Sequence, residues 1–570
     1  MKTPSSPFSF LDRFRRIFSL PLIIVLVVSV IILLPALSIF YNSFTSLGFG
    51  KKVGFTLLNY ANAFSDPELG ELFINSLIYS VGSSLFSISV AIILAWIVTR
   101  TDAPMKSFLE LIPVIPLIFP PILKNIGWIY ILSPRAGILN NFLSEIFRTK
   151  ITFFNAFSMP AMIWTFGLSE IPTAYLLILP AFLMMDPSLE EAAYISGANT
   201  AQTFLKVTLP LALPSILSAF ILLVIHGFGA FETAVLQGIP GGIYVFISKI
   251  YDAYEHRLNP GLATAYASIL IVMMIFLVSI YVLFTRRAEK FATIIGKGYS
   301  PRVIQLGKWR YVAAVFIISY FLVAIILPYG VTAIVSILPY FTYSVFKNFI
   351  KYATLNNFSR VLNHPTFLRG IMNSLMLGLA AGAITIPVCA VMSYVIHRGS
   401  GSKVKKVFEF VGTLPSAFPG MLMALGLLWI YFGTPLYGSL MGILVAYLIF
   451  YTPYGLRALS AAIIRIHKEL EEAAFVHGAS WGKTFLEITI PLLKVAMASG
   501  FFYIFIQVQR RLGEVVLLAG PGVEVAPTVV FDYFNVGQWG EAAAASLIYA
   551  SLLLCYIIIA KYLLKVKFRI

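Results

Sequence analysis

Glu190-Glu191-Ala192-Ala193, then Gly197, then Val207-Thr208-Leu209-Pro210, is one of two near-copies of a single stretch. The other reads Glu471-Glu472-Ala473-Ala474, then Gly478, then Ile488-Thr489-Ile490-Pro491, and every one of these positions is offset by 281 residues. The middle agrees too, with Thr203-Phe204-Leu205 against Thr484-Phe485-Leu486. An acidic, alanine-rich segment, a glycine and a proline ahead of an apolar run would mean little once. Twice at one spacing, between hydrophobic spans, it marks an internal repeat.

Composition places the repeat in a membrane. The 570 residues are 59% hydrophobic and 11% charged, with a mean hydropathy of +0.89. A soluble domain carries roughly 25% charged residues, so water does not solvate this chain as one globule. The formal charge of +17 does not point to nucleic acid, because the basic residues flank apolar spans instead of forming aromatic-interleaved patches. Cys389 and Cys555 both lie in apolar runs and read as packing residues, with no disulfide framework or metal site. The N-terminal Lys2, Arg13, Arg15 and Arg16 precede apolar Leu20–Phe40, too long for a signal h-region, so we read a retained first membrane helix.

At about 20 apolar residues per crossing, twelve spans are expected. Six lie near 20–42, 73–99, 106–132, 156–184, 204–228 and 262–285, and six near 310–338, 371–396, 406–432, 437–463, 486–508 and 542–564. The fold class is therefore an all-α polytopic membrane protein with two parallel six-helix repeats, residues 1–300 and 301–570, carrying the repeated loops near 186–210 and 467–491. Arg286 to Arg310 holds seven basic residues among Gly, Ser and Pro and reads as the linker. Asn75-Ser76-Leu77 and Asn373-Ser374-Leu375, offset by 298, are expected to open the second and eighth helices, and Arg100 and Arg398 to end them. Phe119-Pro120 and Phe418-Pro419 match at offset 299; Pro134–Lys150 is then an extra segment, expected on the outer face. The clusters Arg13/Arg15/Arg16, Arg286/Arg287/Lys290, Lys403/Lys405/Lys406 and Lys565/Lys567/Arg569 put both termini and both repeated loops in the cytoplasm.

Asp186 or Ser188 can cap a helix starting near Leu189, with Glu190 and Glu191 in its first turn where the dipole favours negative charge. Ala192 and Ala193 allow close approach of a partner, Gly197 permits a sharp turn, and Pro210 is expected to open the next membrane helix. Glu471, Glu472, Ala473, Ala474, Gly478 and Pro491 take the same roles. Gly478-Ala479-Ser480-Trp481-Gly482-Lys483-Thr484 is one residue short of a phosphate loop and follows no soluble strand, so we read no nucleotide site there.

The repeated stretch resembles the EAA loop of ABC-transporter permeases: Glu-Ala-Ala, three residues, Gly, nine residues, Ile, any residue, Leu-Pro. The first copy departs only in Val207 for Ile and the second only in Ile490 for Leu. The resemblance implies that each loop is a coupling helix docked on one of two ATPase subunits. ATP and Mg are then bound in those partners and no cofactor in this chain. It also implies an extracytoplasmic solute-binding protein as a further partner, a prokaryotic plasma (inner) membrane location, and transport by alternating access. Among such importers, fusion of both units in one chain is most similar to iron(III) and thiamine permeases, whereas sulfate, molybdate and polyamine systems more often use separate chains. Iron(III) is the first solute expected and thiamine the second. The rival from another class is a twelve-helix secondary transporter driven by an ion gradient; a membrane enzyme is disfavoured, since no reactive constellation is visible.

Ionisable residues inside spans are expected to line the path or its outer gate, or to pair within the bundle. They are Lys124, Glu170, Glu232, Arg510, Arg511 and Glu514. Glu232 and Glu514 are counterparts at offset 282, and Arg510 and Glu514 are spaced to pair along a helix. Pro113, Pro116, Pro120, Pro121, Pro415 and Pro419 are expected to kink their helices.

Overall fold

The computed structural model describes residues 20–46, 54–105, 109–149, 151–288, 304–398 and 402–564. Most of the linker, the terminal basic clusters and Lys106 lie outside them. The first half comprises α1 (Leu20–Ser43), α2 (Leu69–Arg100), α3 (Pro121–Leu132), α4 (Met159–Met184), α5 (Pro187–Ile195), α6 (Thr200–Phe228), α7 (Phe246–Glu255) and α8 (Pro260–Ala288). The second repeats the order with α9 (Trp309–Ser336), α10 (Pro365–Arg398), α11 (Gly420–Tyr431), α12 (Leu440–Arg465), α13 (Glu469–Val476), α14 (Trp481–Arg510), α15 (Ala526–Asn535) and α16 (Trp539–Leu564). Ten helices are long and apolar enough to cross a membrane, or twelve counting two bent pairs: Phe231–Gly241 with Phe246–Glu255 (74°) and Lys405–Ala417 with Gly420–Tyr431 (105°). Apart from two isolated bridges, the described residues contain no β-structure.

Several expectations need correction. The third and ninth spans are not kinked helices but broken ones. Residues 109–118 form turns and a short 3₁₀ segment ahead of α3, and the chain is extended at Phe119 and Phe418. Each break precedes a proline, which pushes the residue before it out of the helical region. Asn75-Ser76 and Asn373-Ser374 do not open helices, since α2 and α10 start earlier, at Leu69 and Pro365. Instead, Ser76 Oγ accepts the Phe246 N–H at 2.9 Å and Ser374 Oγ the Ala526 N–H at 2.9 Å. They satisfy orphan donors at the starts of α7 and α15.

Pro210 and Pro491 do not open α6 and α14 either. These helices start at Thr200 and Trp481, and a five-residue π-turn precedes each proline, Phe204–Thr208 and Phe485–Thr489. The same arrangement recurs at Leu322–Ile326 before Pro328 and Ala234–Gly238 before Pro240. A proline supplies no N–H and its ring crowds the carbonyl one turn back. Ahead of Pro210, Pro328 and Pro491 the wider turn accommodates both defects without ending the helix, whereas at Pro240 the chain leaves it through a 3₁₀ turn, Ile239–Gly241.

The halves are interlocked. α1 packs against α10 and α11 of the second half, and the C-terminal part of α9 packs against α3 of the first. Each contact is a backbone approach over a glycine. A Cβ on Gly426 would lie 2.1 Å from the Pro35 carbonyl oxygen, and one on Gly127 2.6 Å from that of Pro328. Helices gain nothing from burying apolar surface against each other instead of lipid, so close packing of small residues holds them together. Gly426→Val is expected to lower the melting temperature by displacing α1, at a cost of about 1–3 kcal/mol. Gly330→Val, where a Cβ meets nothing within 4 Å, is its control in a thermal-unfolding series.

The extra segment of the first half folds as a short helix, Ile138–Phe147, held by Asn140, whose amide bonds the backbone of Leu132, Ser133, Phe153 and Phe154. Glu145 meets Tyr343 and Lys347 of the segment following α9.

Candidate functional site

The two repeated loops fold alike. Asp186 Oδ1 caps α5 by accepting the Ser188 N–H at 2.9 Å, an interaction that holds its carboxyl below the usual range. α5 ends in a left-handed Gly197 (φ +87°), with Gly197 N bonding Tyr194 O and Ala198 N bonding Ala193 O. α13 ends identically, with Gly478 at φ +81°, Gly478 N on Phe475 O and Ala479 N on Ala474 O. These two crossed bonds form a Schellman closure, whose C′ position tolerates little but glycine. A Cβ at either glycine would meet nothing within 4 Å, so backbone conformation, not space, fixes the residue type. Asn199 and Ser480 then cap α6 and α14. The stretch that imitates a phosphate loop is this turn, and no strand precedes it.

The first glutamate of each pair does not face outward. Glu190 is 4% exposed, accepts a hydrogen bond from Thr208 Oγ1 at 2.7 Å, and lies 3.7 Å from Nε of the fully buried Arg100. Glu471 is equally buried, 3.1 Å from Arg398 Nε, with Thr489 Oγ1 at 3.4 Å. Arg398 also donates to the carbonyls of Ile463 and Ile466, and Arg100 to that of Met185. Each loop is thus tied to the end of a core helix, α2 or α10, by a buried ion pair, hydrogen-bonded in the second half and at 3.7 Å in the first. Glu190 and Glu471, expected on the docking surface, are its internal anchors. Arg100 and Arg398 were legible as repeat-matched residues, but their pairing with the loops was not.

Both loops expose apolar side chains at matching positions. Ile195 is 87% and Val476 86% exposed, at equivalent positions, with Leu189, Leu470 and Phe475 also exposed beside them. Ala192 and Ala473 face outward as well; Glu191 is half-buried and Glu472 exposed. An apolar tip on a rigid helix–turn fits a partner surface. Sequence reasoning passed over Ile195 and Val476 because a single hydrophobic residue in an apolar chain carries no signal.

The charged residues within spans gather at the opposite end of α6 and α14 from the loops, where the halves meet. Glu170 on α4 pairs with His226 on α6 at 3.1 Å. Arg510 Nη2 donates to the Phe119 carbonyl at 3.2 Å, across the break in the third span. Glu232 accepts the Leu512 N–H at 3.4 Å, and Glu514 accepts the Tyr451 hydroxyl at 2.5 Å. Lys124, 3% exposed on α3, is within electrostatic reach of Arg510 and Glu170, and Arg511 of Glu170, Glu232 and Glu514. All six expected residues therefore fall in one network, together with His226 and Tyr451. The expected Arg510–Glu514 helical pair does not form, because α14 ends at Arg510 and Arg511 is extended (φ −96°, ψ 124°). Among the described residues no group of His, Cys, Asp and Glu is arranged to hold a metal.

The family profile described as binding-protein-dependent transport system inner membrane component matches residues 76–290 and 388–566. The chain belongs to this family. One matched segment falls within each half, and each contains one anchored loop. The ferric transport system permease protein of Actinobacillus pleuropneumoniae is 26% identical over 475 residues, 81% of this chain and 66% of that protein, just under two thirds of its length. An Fe(3+)-transport system permease protein of Haemophilus influenzae is 23% identical over 515 residues, 88% of this chain and 90% of that one. Among solved structures, a bacterial ABC transporter importing the acidic polysaccharide alginate aligns over 42% of this chain and 84% of its own, at 21% identity and a TM-score of 0.35. The protein is thus a multi-pass ABC permease of the inner-membrane importer family.

Proposed function

We propose that this permease imports a small solute delivered by an extracytoplasmic binding protein, through alternating access driven by ATP hydrolysis in two partner ATPases. Iron(III) is the first solute to test and thiamine the second, because the ferric permeases named above resemble the chain over most of its length. The observation that carries the reading is the pair of anchored loops. Each exposes an apolar tip while a buried arginine–glutamate bridge joins it to a core helix. Displacing both tips together would transmit force through α2 and α10 to the broken spans at Phe119 and Phe418. The loops and both termini then lie in the cytoplasm, and the charged network faces the opposite side.

The test is ATP hydrolysis by the chain reconstituted with its proposed ATPase and binding-protein partners. Loaded binding protein is expected to stimulate hydrolysis and solute uptake, and Glu191→Ala/Glu472→Ala to abolish the stimulation. Uptake that follows a proton or sodium gradient and ignores ATP would replace this reading with the secondary transporter.

A further inference from the structure

A donor and acceptor count of the charged network says what kind of group it is built to meet. Each of its carboxylates already has a donor: Glu170 from His226, Glu232 from Leu512 N–H, Glu514 from Tyr451. The cations are less well served. Arg510 spends one N–H on Phe119 O, while its Nε is buried without a partner. Lys124 and Arg511 form no ion pair within 4.0 Å and no hydrogen bond to any described residue; their interactions are longer-range electrostatic ones. Guanidinium and ammonium groups are donors only. Donors on three cations are thus left without a partner at hydrogen-bond distance, and leaving such donors unmet in a low-dielectric site is unfavourable.

Arg511 is also exposed, although charged groups from α4, the Glu232 turn and its own loop stand around it. Its open surface therefore lies among charged groups of both halves. Beside it on α14 and α12 stand Tyr503, 43% exposed, and Tyr454, with ring centroids 5.4 Å apart. Glu170 and His226 are partly exposed on the first-half side.

The duplication separates this wall from the packing framework. Residues that hold each half together recur in both: Arg100 and Arg398, Glu190 and Glu471, Ser76 and Ser374. The cations do not. At the same offsets Arg510 and Arg511 face Gly229 and Ala230, Tyr503 faces Leu222, and Lys124 faces Met423. A packing ion pair in a duplicated bundle has no reason to abandon the symmetry, whereas a site for one asymmetric solute does.

We infer that Arg511, backed by Arg510 and Lys124, forms an intramembrane subsite for an oxyanion or carboxylate group of the solute, with Tyr454 and Tyr503 as its apolar wall. The inference rests on the importer reading and narrows it. A bare ferric ion or cationic thiamine would be repelled by the unpaired cations, so iron(III) would cross as a complex carrying anionic oxygen ligands.

The full chain in lipid nanodiscs, without ATPase, is titrated calorimetrically with orthophosphate, ferric citrate and thiamine. Saturable binding of orthophosphate or ferric citrate is expected, weakened about tenfold or more in Arg511→Gln and partly retained in Arg511→Lys. Binding of orthophosphate alone would mean that a free oxyanion suffices, and binding only of ferric citrate that the anion must arrive as a metal ligand. Lys124→Met, which installs the residue of the other half, provides a second variant if Arg511→Gln is misfolded by its melting curve. No saturable anion binding, equal binding by both variants, or binding of thiamine alone overturns the subsite. Because this assay contains no ATPase, its failure beside intact ATP-driven uptake removes only the subsite. Anion binding with no ATP-driven uptake would remove the importer reading instead.

Discussion

Arg398→Ala should cripple the protein at the level of folding. The substitution leaves Glu471 charged and 4% exposed, with the Thr489 and Tyr394 hydroxyls near it, and it takes the side-chain donor from the Ile466 carbonyl, while that of Ile463 keeps the Ile466 N–H. Removing one member of a buried ion pair costs about 3–5 kcal/mol, because the survivor remains desolvated. That is a large part of the roughly 5–15 kcal/mol that stabilises a typical fold. We expect a large drop in melting temperature and little protein in the membrane fraction. Arg360→Ala is the control. Its pair with Glu541 spans 2.9 Å, but Arg360 is 65% exposed, so the loss should be under about 1 kcal/mol. Replacing both partners, Arg398→Met with Glu471→Leu, should recover most of the stability, since no charge is left buried. If Arg398→Ala melts with Arg360→Ala, the pair does not anchor the loop.

Ile195→Asp combined with Val476→Asp should have the opposite signature. Both side chains are almost fully exposed, so their removal touches no packing and should change stability by under about 0.5 kcal/mol. If the loops dock on ATPases, two carboxylates placed in apolar contacts would be desolvated without partners. Co-purification of the ATPase should fall below detection and ATP-driven uptake should cease, while the melting curve of the chain alone stays unchanged. Each single substitution should weaken docking at one loop only. Retained ATPase binding in the double variant would show that these tips are not the contact.

The two experiments separate two functions that the sequence merges into one motif. Glu190 and Glu191 are adjacent and chemically identical, and both read as surface acids in a first helical turn. Folding sends them different ways. Helical spacing turns the first toward α2, where Arg100 ends the helix, and leaves the second half-buried at the loop. The pairing spans 90 residues in one half and 73 in the other, beyond the reach of any local pattern.

Some features were fixed by local chemistry and could be read directly. Hydropathy over 20-residue windows placed ten of the twelve expected spans, since a bilayer demands that length of apolar helix, but not the broken stretches near 106–132 and 406–432 nor the bent pair Phe231–Gly241 with Phe246–Glu255. The offset of 281 disclosed the duplication and, through it, the loops. Gly197 and Gly478 announced the left-handed turns they occupy, because few other residues adopt that backbone. Other features depended on what came to lie opposite. Prolines at 120, 210, 419 and 491 look alike in the sequence, yet two follow extended breaks and two sit behind π-turns within continuous helices. Which outcome a proline gives depends on whether neighbouring helices re-satisfy the freed backbone groups. Likewise Lys124, Glu170, Glu232, Arg510, Arg511 and Glu514 were visible one by one as ionisable groups in apolar runs. That they meet between the halves, with donors on three cations left without a partner at bonding distance, was decided only by the packing of α3, α4, α6 and α14. A charge in a membrane is costly wherever it lies in the sequence, and only its neighbours in space determine how that cost is offset.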